Sequence, residues 1–327
     1  MRAIQAREAG GPEVLELVEL PDPTPEPGQV LVKVAAAGVN FIDTYRRGGV
    51  YPMPFPHVVG SEGAGEVVAL GEGVTDIAVG DHVAWSDAPD SYAELVRVHA
   101  ARLVPVPDGV DMEVAAAIPL QGMTAHYLVT STYPVQPGDE VLVHAAAGGV
   151  GLLLTQLVVA HGGRVIGTVS TAEKEALARE AGADVVIRYD QLADLTAELP
   201  TLVKGATGGK GVRVVYDGVG KTTFDASLAS LRPRGMMVLF GGSSGQVPPF
   251  DLQRLNSGGS LFITRPTLGF YVTTTDELRW RARELFEAVQ AGQLHVRIGS
   301  RYPLADAAEA HRALEGRHTT GKVILAP

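Results

Sequence analysis

One segment constrains this chain more than any other: residues 140–151 read EVLVHAAAGGVG. A run of apolar and β-branched residues enters a turn made almost wholly of Ala and Gly, and the apolar run LLLTQLVVA follows. A dinucleotide-binding fold requires this order, because the turn must be tight and its backbone must let a pyrophosphate reach the helix N-terminus. The segment therefore predicts a strand, a phosphate-binding turn and a helix.

The small residues of this turn follow the G-x-G-x-x-G fingerprint with one substitution. Its three positions are Ala146, Gly148 and Gly151, and Gly149 and Val150 complete the turn. A fingerprint that stands alone is weak evidence, since a turn of small residues can serve only to pack a helix on a sheet. Here further strand–helix units follow the turn, and this context favours dinucleotide binding.

Two regions of the chain differ in their pattern. Between residues 14 and 106, short β-branched runs alternate with Gly and Pro, which is typical of a compact barrel of mostly antiparallel strands. From about residue 138 strand-like and helix-like segments alternate, and repeated βα units imply a parallel sheet wound on both sides. The predicted segments are strands Glu140–Ala145, Arg164–Val169, Asp184–Ile187, Val212–Tyr216, Met236–Phe240 and Ser260–Thr264, and helices Gly149–His161, Ala172–Ala181, Asp190–Lys204 and Thr222–Leu231.

The tail after residue 264 has no βα repeat of its own, so we expect it to return to the first domain. The predicted fold is α/β, a Rossmann-type doubly wound parallel sheet inserted into a second, mostly β domain. Residues 121–264 form the dinucleotide-binding domain, and residues 1–120 and 265–327 form the second domain.

The end of the second predicted strand indicates which dinucleotide binds. NAD-binding folds place Asp or Glu there, where the carboxylate accepts hydrogen bonds from the ribose. Here the strand VIGTV runs into Ser170, and Lys174 follows in the next turn. A hydroxyl with a nearby ammonium suits a 2′-phosphate, so the sequence predicts NADPH. The alternative is that Ser170 only caps a helix whose exposed face carries Lys174.

Composition excludes several classes of function. The chain has no cysteine, which excludes disulfides, thiolate metal sites and a cysteine nucleophile. A net charge of −10 argues against a nucleic-acid surface.

The longest apolar run, Val150–Ala160, is interrupted and is shorter than the roughly 18 residues of a membrane span. No signal-peptide pattern follows the opening MRAIQAREAG, so we expect a cytoplasmic protein whose ligands are small molecules.

Several further segments carry a family resemblance over essentially the whole chain. These are GGPEVLE near the start, GVNFIDTY at 38–45, HVVGSEGAGEV at 57–67, VVYDGVG at 214–220, and the later GGSSG and ITRP. With them the chain resembles the zinc-free, zeta-crystallin-like quinone oxidoreductases of the medium-chain dehydrogenase/reductase superfamily, and bacterial NADPH:quinone reductases in particular. The resemblance implies that the second domain is a GroES-like catalytic domain, and that a quinone substrate binds in the cleft between the domains.

The resemblance also implies roles for individual residues. It places the substrate near Asn40 and Tyr45, where Tyr45 donates a hydrogen bond or proton to the developing oxyanion and Asn40 orients a ring. It adds cofactor contacts at positions that ordinary packing or turn chemistry also explains: Thr124 beside the nicotinamide riboside, Tyr189 beside the 2′-phosphoribose, Phe240, Gly241 and Ser243 in a loop near the nicotinamide, and Arg265 on the same side.

The resemblance implies no metal site. In zinc alcohol dehydrogenases of the superfamily, a Cys and the His of a G-H-E motif stand where this chain has Asn40 and Ser61. Asn and Ser are poor zinc ligands, and no His pair at usable spacing replaces them. A quinone is already a strong electrophile, so its reduction does not require the Lewis acid that an alcohol dehydrogenase uses.

Two alternatives to quinone reduction remain at this stage. The same fold can support an NADPH-dependent reductase of α,β-unsaturated carbonyls, or a cofactor-binding protein with little catalysis.

We also expect a homodimer through the cofactor domain, because the apolar strand SLFIT at 260–264 would otherwise leave an exposed sheet edge. A helix of the same chain covering that strand is the alternative.

Overall fold

The computed structural model describes all 327 residues. They form two compact units: unit 1 comprises Met1–Met123 and Val272–Pro327, and unit 2 comprises Thr124–Tyr271. The first and last segments of the chain thus share one unit, and the intervening segment forms the other.

The chain contains sixteen strands and ten α-helices. The strands are β1 (Arg2–Ala6), β2 (Leu15–Glu19), β3 (Gln29–Val39), β4 (His57–Val58), β5 (Glu62–Leu70), β6 (His82–Trp85), β7 (Leu95–His99), β8 (Val104–Pro105), β9 (Glu140–Val143), β10 (Arg164–Val169), β11 (Val185–Arg188), β12 (Val212–Asp217), β13 (Leu231–Leu239), β14 (Phe262–Thr264), β15 (Ile298–Pro303) and β16 (Lys322–Ala326). The helices are α1 (Phe41–Arg47), α2 (Met112–Ala117), α3 (Pro119–Tyr127), α4 (Gly149–Ala160), α5 (Ala172–Glu180), α6 (Leu195–Ala206), α7 (Phe224–Ser230), α8 (Gln253–Ser257), α9 (Thr275–Gln290) and α10 (Ala307–Glu315). None of these helices combines the length and the apolar character needed to cross a lipid bilayer.

Unit 2 is built on one sheet of six parallel strands in the order β11-β10-β9-β12-β13-β14. Its central strand β9 is apolar on both faces, with Val141, Leu142 and Val143 fully buried, as expected when helices cover both sides of a parallel sheet. The predicted Rossmann-type fold is confirmed. In such a sheet the direction of winding changes between β9 and β12, and ligands bind beyond the carboxyl ends of the strands at that point.

Unit 1 contains two sheets with the orders β2-β1-β4 and β15-β16-β3-β5-β6-β8, and β7 also pairs with β3. Long β3 forms antiparallel pairs with β5, β7 and β16. Trp85, Tyr92 and Leu103 lie in the core beneath them. Because β15 and β16 come from the last part of the chain, that tail completes the sheet of the first domain, as the sequence predicts.

Some boundaries differ from the sequence prediction for local reasons. Strand β9 stops before Ala145, which has φ of +50°, and β14 begins after Ser260, which has φ of +57°; extended strands do not adopt the left-handed region. Helix α6 begins five residues later than predicted, because Asp194 rather than Asp190 accepts the hydrogen bonds of its first N–H groups. Asp190 instead pairs with Arg188 at 2.6 Å.

The last strand of the unit 2 sheet is less exposed than the sequence suggests. Leu261 is buried in the core of the unit, and Ile263 is half-buried. Phe262 alone presents a large exposed apolar side chain, 56% accessible. The exposed apolar surface at this edge is therefore one aromatic side chain rather than three.

Candidate functional site

The turn after β9 is tight because its backbone lies very close to helix α4. A Cβ atom placed on Gly151 would lie 2.2 Å from the carbonyl oxygen of Ala145, a separation that no side chain tolerates. Ala146, at the first fingerprint position, is fully buried. Packing therefore requires glycine at the third fingerprint position and a small residue at the first.

Helix α4 starts at this turn without a side-chain cap. Its N-cap residue is Gly148, whereas Thr171 caps α5 and Asp194 caps α6 in the same unit. The first N–H groups of a helix need acceptors, and an anion at this end also meets the favourable end of the helix dipole. With half-buried Gly149 and Val150 beside it, the start of α4 suits a phosphate group.

The end of β10 presents a hydroxyl group that the helix cap does not use. Thr171 caps α5 by accepting a hydrogen bond from the backbone N–H of Lys174 at 3.2 Å. Ser170 is half-buried and does not have the capping role that was its alternative. Tyr189, also half-buried, follows the neighbouring strand β11. Ser170, Lys174 and Tyr189 thus follow the carboxyl ends of two adjacent strands.

The loop after β13 is attached to the loop after β12. The backbone N–H groups of Phe240 and Gly241 donate to the carbonyl oxygen of Asp217 at 2.9 and 3.4 Å, and that of Ser243 donates to Gly218 at 3.2 Å. A Cβ on Gly241 would lie 2.5 Å from the carbonyl oxygen of Gly218. The two loops therefore form one surface at the carboxyl end of the sheet.

Two predicted cofactor residues lie outside these loops. Thr124 is buried on α3, and Arg265 follows β14 at the edge of the sheet. Arg265 is exposed, and its guanidinium donates to the carbonyl oxygen of Pro266 at 3.3 Å. The contacts of Thr124 and Arg265 with a cofactor stay predictions.

In unit 1, Asn40 lies in a buried polar cluster built on an ion pair. Glu62 on β5 pairs with Lys322 on β16, and no more than 1% of either side chain is exposed. Burial lowers the pKa of Lys322 below its ordinary value, and the charge of Glu62 opposes this. The carboxylate also accepts a hydrogen bond at 2.7 Å from the backbone N–H of Leu120 in the first turn of α3. Such additional bonds are what allows a buried ion pair to be tolerated.

The side-chain amide of Asn40 is fully hydrogen-bonded in this cluster. Its Nδ2 donates to Glu62 at 2.7 Å and to the carbonyl oxygen of Gly38 at 3.3 Å. Its Oδ1 accepts from Lys322 at 2.8 Å and from Gln121 at 3.3 Å. A carboxylate only accepts and an ammonium only donates, so the orientation of the amide is fixed. The geometry favours a positioning role for Asn40, and its predicted catalytic role stays a prediction.

A second buried chain of hydrogen bonds converges on Asp43. Ser61 donates to its Oδ1 at 2.7 Å, and the hydroxyl of Tyr92 donates to its Oδ2 at 3.1 Å. Arg46 in turn donates to Ser61 at 2.7 Å, and Nε2 of His311 lies 3.2 Å from the Tyr92 hydroxyl. Burial raises the pKa of the Asp43 carboxyl despite these donors.

The proton positions in the chain around Asp43 follow from Arg47, which can only donate. Its Nη1 lies 2.8 Å from Nδ1 of His311, so Nδ1 accepts and the ring proton is on Nε2, facing Tyr92. Burial, with the charge of Arg47, lowers the pKa of His311 to about 3. Arg47 also pairs with Glu315 at 2.6 Å. Arg46 and Arg47 lie at the ends of this hydrogen-bond chain and do not release protons. The hydrogen-bond chain therefore holds side chains in place and does not carry protons to solvent.

Tyr45 lies on α1, two residues after Asp43, and belongs to an apolar surface. Its ring centroid is 6.1 Å from that of Phe41 and 6.2 Å from that of Tyr51. Val50 and Tyr51 are 53% and 44% exposed. Phe41, Tyr45, Val50 and Tyr51, which we call the Tyr45 surface, offer aromatic and aliphatic contacts to a flat ring.

The residues at the ligand positions of zinc alcohol dehydrogenases do not fit a metal ion here. Ser61 donates its proton to Asp43, and Oδ1 of Asn40 accepts from the ammonium of Lys322. That ammonium would repel a second cation. The chain brings together no group of three or more His, Asp or Glu side chains that could hold a metal.

Sequence reasoning does not identify several members of these clusters. Glu62 lies in the segment HVVGSEGAGEV and Asp43 in GVNFIDTY, but the motifs assign neither residue a role. The available signal is a charged residue in a run of buried strand residues, as in the final KVILA that begins with Lys322. Such a residue requires a partner, but the sequence does not show which one.

Because His311 is neutral in the folded protein, we predict how the free energy of unfolding changes at low pH. The folded protein keeps this ring unprotonated down to pH about 3, whereas the unfolded chain protonates it below about 6.5. The contribution of His311 to the free energy of unfolding is therefore fully present above pH 6.5. It is lost as the pH falls toward 3, at no more than about 1.4 kcal/mol per pH unit. His311→Gln should reduce the loss of unfolding free energy between pH 6.5 and 5, measured by urea denaturation.

A matched control for this measurement is His161→Gln, because His161 is exposed at the end of α4. It should keep the wild-type dependence on pH. The raised pKa of Asp43 acts in the opposite direction, since the folded state then binds more protons than the unfolded chain. Equal slopes for His311→Gln and the wild type would contradict the assignment.

Comparisons with known proteins agree with this architecture. The alcohol dehydrogenase GroES-like domain family matches residues 26–108, and the zinc-binding dehydrogenase family matches residues 181–325. A quinone oxidoreductase of Pseudomonas aeruginosa is 46% identical, over 100% of this chain and 99% of that protein. A 2-haloacrylate reductase of a Burkholderia species is 42% identical, over 97% of this chain and 96% of that protein.

Among solved structures, that of a mycobacterial protein complexed with NADPH superimposes with a TM-score of 0.97. The two sequences are 53% identical, and the match covers 100% of both chains. Identity at this level over the full length confirms the resemblance seen in the sequence motifs, including the GroES-like domain. The chain therefore belongs to the quinone oxidoreductase family of the medium-chain dehydrogenases and reductases, and it is an oxidoreductase.

Proposed function

We propose that this protein reduces quinones with NADPH and without zinc, and that the substrate binds beside the nicotinamide in the cleft between the two domains. The observation that carries the proposal is the turn between β9 and α4, where Gly151 is required and the helix start has no side-chain cap. The mycobacterial relative complexed with NADPH and the quinone oxidoreductase of P. aeruginosa support it.

The residues of unit 2 fit NADPH in three places. The start of α4, from Gly148 to Gly151, suits the pyrophosphate. Ser170 and Lys174 suit the 2′-phosphate, with Tyr189 beside the ribose, because a hydroxyl and an ammonium replace the usual acid. The joined loops after β12 and β13, with Phe240, Gly241 and Ser243, suit the nicotinamide half, and we place Thr124 and Arg265 on the same side. Bound NADPH would supply a hydride.

The residues of unit 1 serve the substrate in different ways. The Tyr45 surface provides apolar contacts for a quinone ring, and we propose that the Tyr45 hydroxyl donates to the oxygen that gains negative charge during reduction. Asn40, whose amide is held by four hydrogen bonds, keeps the start of α1 in place and so positions Tyr45. A quinone oxygen develops into a stabilised phenolate, for which one hydrogen-bond donor and correct placement suffice.

A second candidate function has specific support. The Burkholderia relative is named a 2-haloacrylate reductase and is nearly as similar as the quinone oxidoreductases. A 2-haloacrylate has a carbon–carbon double bond conjugated to a carboxylate. That double bond accepts a hydride, as a quinone does. Reduction of α,β-unsaturated carbonyl compounds is therefore the alternative activity, and both activities require the same cofactor site.

A substrate panel tests the proposed function. We expect NADPH oxidation, followed by absorbance at 340 nm, to be faster with 1,2- and 1,4-quinones than with enones of similar size. A preference for enones would establish the alternative activity. Tight NADPH binding without oxidation by any quinone or enone would identify a cofactor-binding protein with little catalysis and would refute the proposal.

The role of Lys174 gives a separate prediction about the cofactor. Lys174→Ala should weaken NADPH binding by about 1.5–3 kcal/mol, the typical value of a hydrogen bond to a charged group, and leave NADH binding nearly unchanged. Titration calorimetry with both cofactors measures this difference. Lys204→Ala, which removes an exposed lysine from α6, is the matched control and should bind both cofactors as the wild type does. Equal weakening of NADPH and NADH by Lys174→Ala would show that this lysine does not recognise the 2′-phosphate.

We also propose that the protein is a homodimer formed through unit 2. Strand β14 ends the sheet and pairs only with β13, so its outer edge has backbone N–H and C=O groups without strand partners, and Phe262 is exposed beside them. Soluble proteins usually cover such an edge. Antiparallel pairing of two copies of β14 around a twofold axis covers both edges with one contact.

Sedimentation equilibrium at micromolar concentration tests the dimer. The chain has a mass of 34.3 kDa, and we expect the wild type to sediment with twice that mass. Phe262→Lys should convert it to a monomer, since the charged side chain would be buried in the contact. Leu202→Lys, at an exposed apolar position on α6 in the same unit, should leave the dimer intact. A wild-type monomer would refute the dimer, and a dimer that survives Phe262→Lys would place the contact elsewhere.

A further inference from the structure

Unit 2 contains a buried hydrogen-bond chain that the proposed function does not use. It begins at Thr168 near the end of β10, passes through His144 directly after β9 and Ser227 on α7, and ends at Asp217, the last residue of β12. The successive distances are 2.9, 2.9 and 2.7 Å. All four side chains are at most 2% exposed. The chain thus connects the carboxyl ends of the three adjacent strands β10, β9 and β12.

The direction of every hydrogen bond in this chain follows from Asp217, which can only accept as a carboxylate. Ser227 must therefore donate to Asp217, so its oxygen accepts the proton on Nε2 of His144. Nδ1 of His144 is then an acceptor, and it receives the hydroxyl proton of Thr168. Burial lowers the pKa of His144, in keeping with a neutral ring of defined tautomer.

Asp217 also holds the loop that follows β12. Its Oδ1 accepts from the backbone N–H groups of Val219 and Gly220 at 2.8 and 2.9 Å, and its Oδ2 accepts from Thr223 at 2.7 Å. The same loop binds the loop after β13, since the N–H of Ser244 donates to the carbonyl oxygen of Val219 at 2.8 Å. The carboxylate of Asp217 thus binds both the hydrogen-bond chain from β9 and β10 and the joined loops after β12 and β13.

We propose that Asp217, acting through Ser227 and His144, is a positioning residue for the dinucleotide. The chain sets the distance between the glycine-rich turn after β9, on one side of the switch point, and the loops after β12 and β13, on the other. A dinucleotide must contact both sides at once, so a small shift of one relative to the other reduces affinity without removing any direct contact. This inference rests on the proposed binding of NADPH.

Helix α7 provides a matched pair of variants for the test. Ser227 and Ser230 are both fully buried on it, but Ser230 donates only to the carbonyl oxygen of Ala226 in its own helix, at 2.7 Å. Ser227→Ala interrupts the chain, and Ser230→Ala removes a comparable buried hydroxyl without touching it. We expect Ser227→Ala to weaken NADPH binding about tenfold and Ser230→Ala to change it less than about twofold.

Asp217→Asn tests whether the geometry or the charge matters. The asparagine Oδ1 can still accept from Val219 and Gly220, and its Nδ2 can donate to Ser227. Ser227 can then donate to Nε2 of His144, and Nδ1 can donate to Thr168, so the bonds from residue 217 to Thr168 survive with their direction reversed. The other Nδ2 proton can donate to Thr223, whose hydroxyl then donates to the carbonyl oxygen of Gly220, 3.2 Å away. We expect NADPH affinity within about threefold of the wild type, a ¹⁵N spectrum of His144 that shows the Nδ1–H tautomer in place of Nε2–H, and about tenfold weaker binding for Asp217→Ala.

The experiment combines NADPH titration, followed by nicotinamide fluorescence, with thermal unfolding of each protein in the absence of NADPH. Weaker binding by Ser227→Ala at the thermal stability of Ser230→Ala supports the inference, and equal NADPH affinity of these two variants would overturn it. If Ser227→Ala does not fold, Thr168→Val interrupts the same chain at its other end and must weaken NADPH binding. Wild-type protein that fails to bind NADPH would refute the proposed function itself, which separates the two outcomes.

Discussion

The buried pair of Glu62 and Lys322 is the interaction on which the arrangement of unit 1 depends. Its two charges lie on strands that are distant in sequence, and each also binds the amide of Asn40. Removal of one partner from such a pair typically costs about 3–5 kcal/mol, because the other charge remains buried and uncompensated. The carboxylate also fixes the first turn of α3 through Leu120. The start of α1, the start of α3 and the last strand are therefore held by one set of contacts.

The same interactions oppose zinc binding even after a single substitution at position 40 or 61. A cysteine at position 40 would place a thiolate against the ammonium of Lys322, with which it would pair rather than with a metal. A histidine at position 61 would displace the donor to Asp43, whose carboxyl is buried among partners fixed by two arginines. Each change would also remove a buried hydrogen bond of this cluster.

The sequence predicts those parts of the structure that depend on local patterns. The turn at 145–151 requires small residues wherever it occurs, and the alternation of β10 with α5 is visible over a few residues. The start of α6 is not predictable in this way, because Asp190 and Asp194 are equally suitable caps and only the packed structure chooses between them. The contact of Asn40 with Lys322 joins residues 282 positions apart. No local pattern indicates such a pairing, so the clusters around the candidate site appear only in three dimensions.

In the proposed reduction of a quinone, neither of the two buried chains is suited to deliver the proton. Formation of a hydroquinone consumes a hydride and a proton, and a hydrogen-bond chain supplies a proton only if one end can be recharged from solvent. The chain around Asp43 ends in Arg46 and Arg47, which do not release protons. The chain in unit 2 ends at Asp217, which is fully buried. In the proposed function the proton would instead arrive from solvent at the exposed side of the Tyr45 surface, where Val50 and Tyr51 are open to water, which fits the donor role proposed for Tyr45.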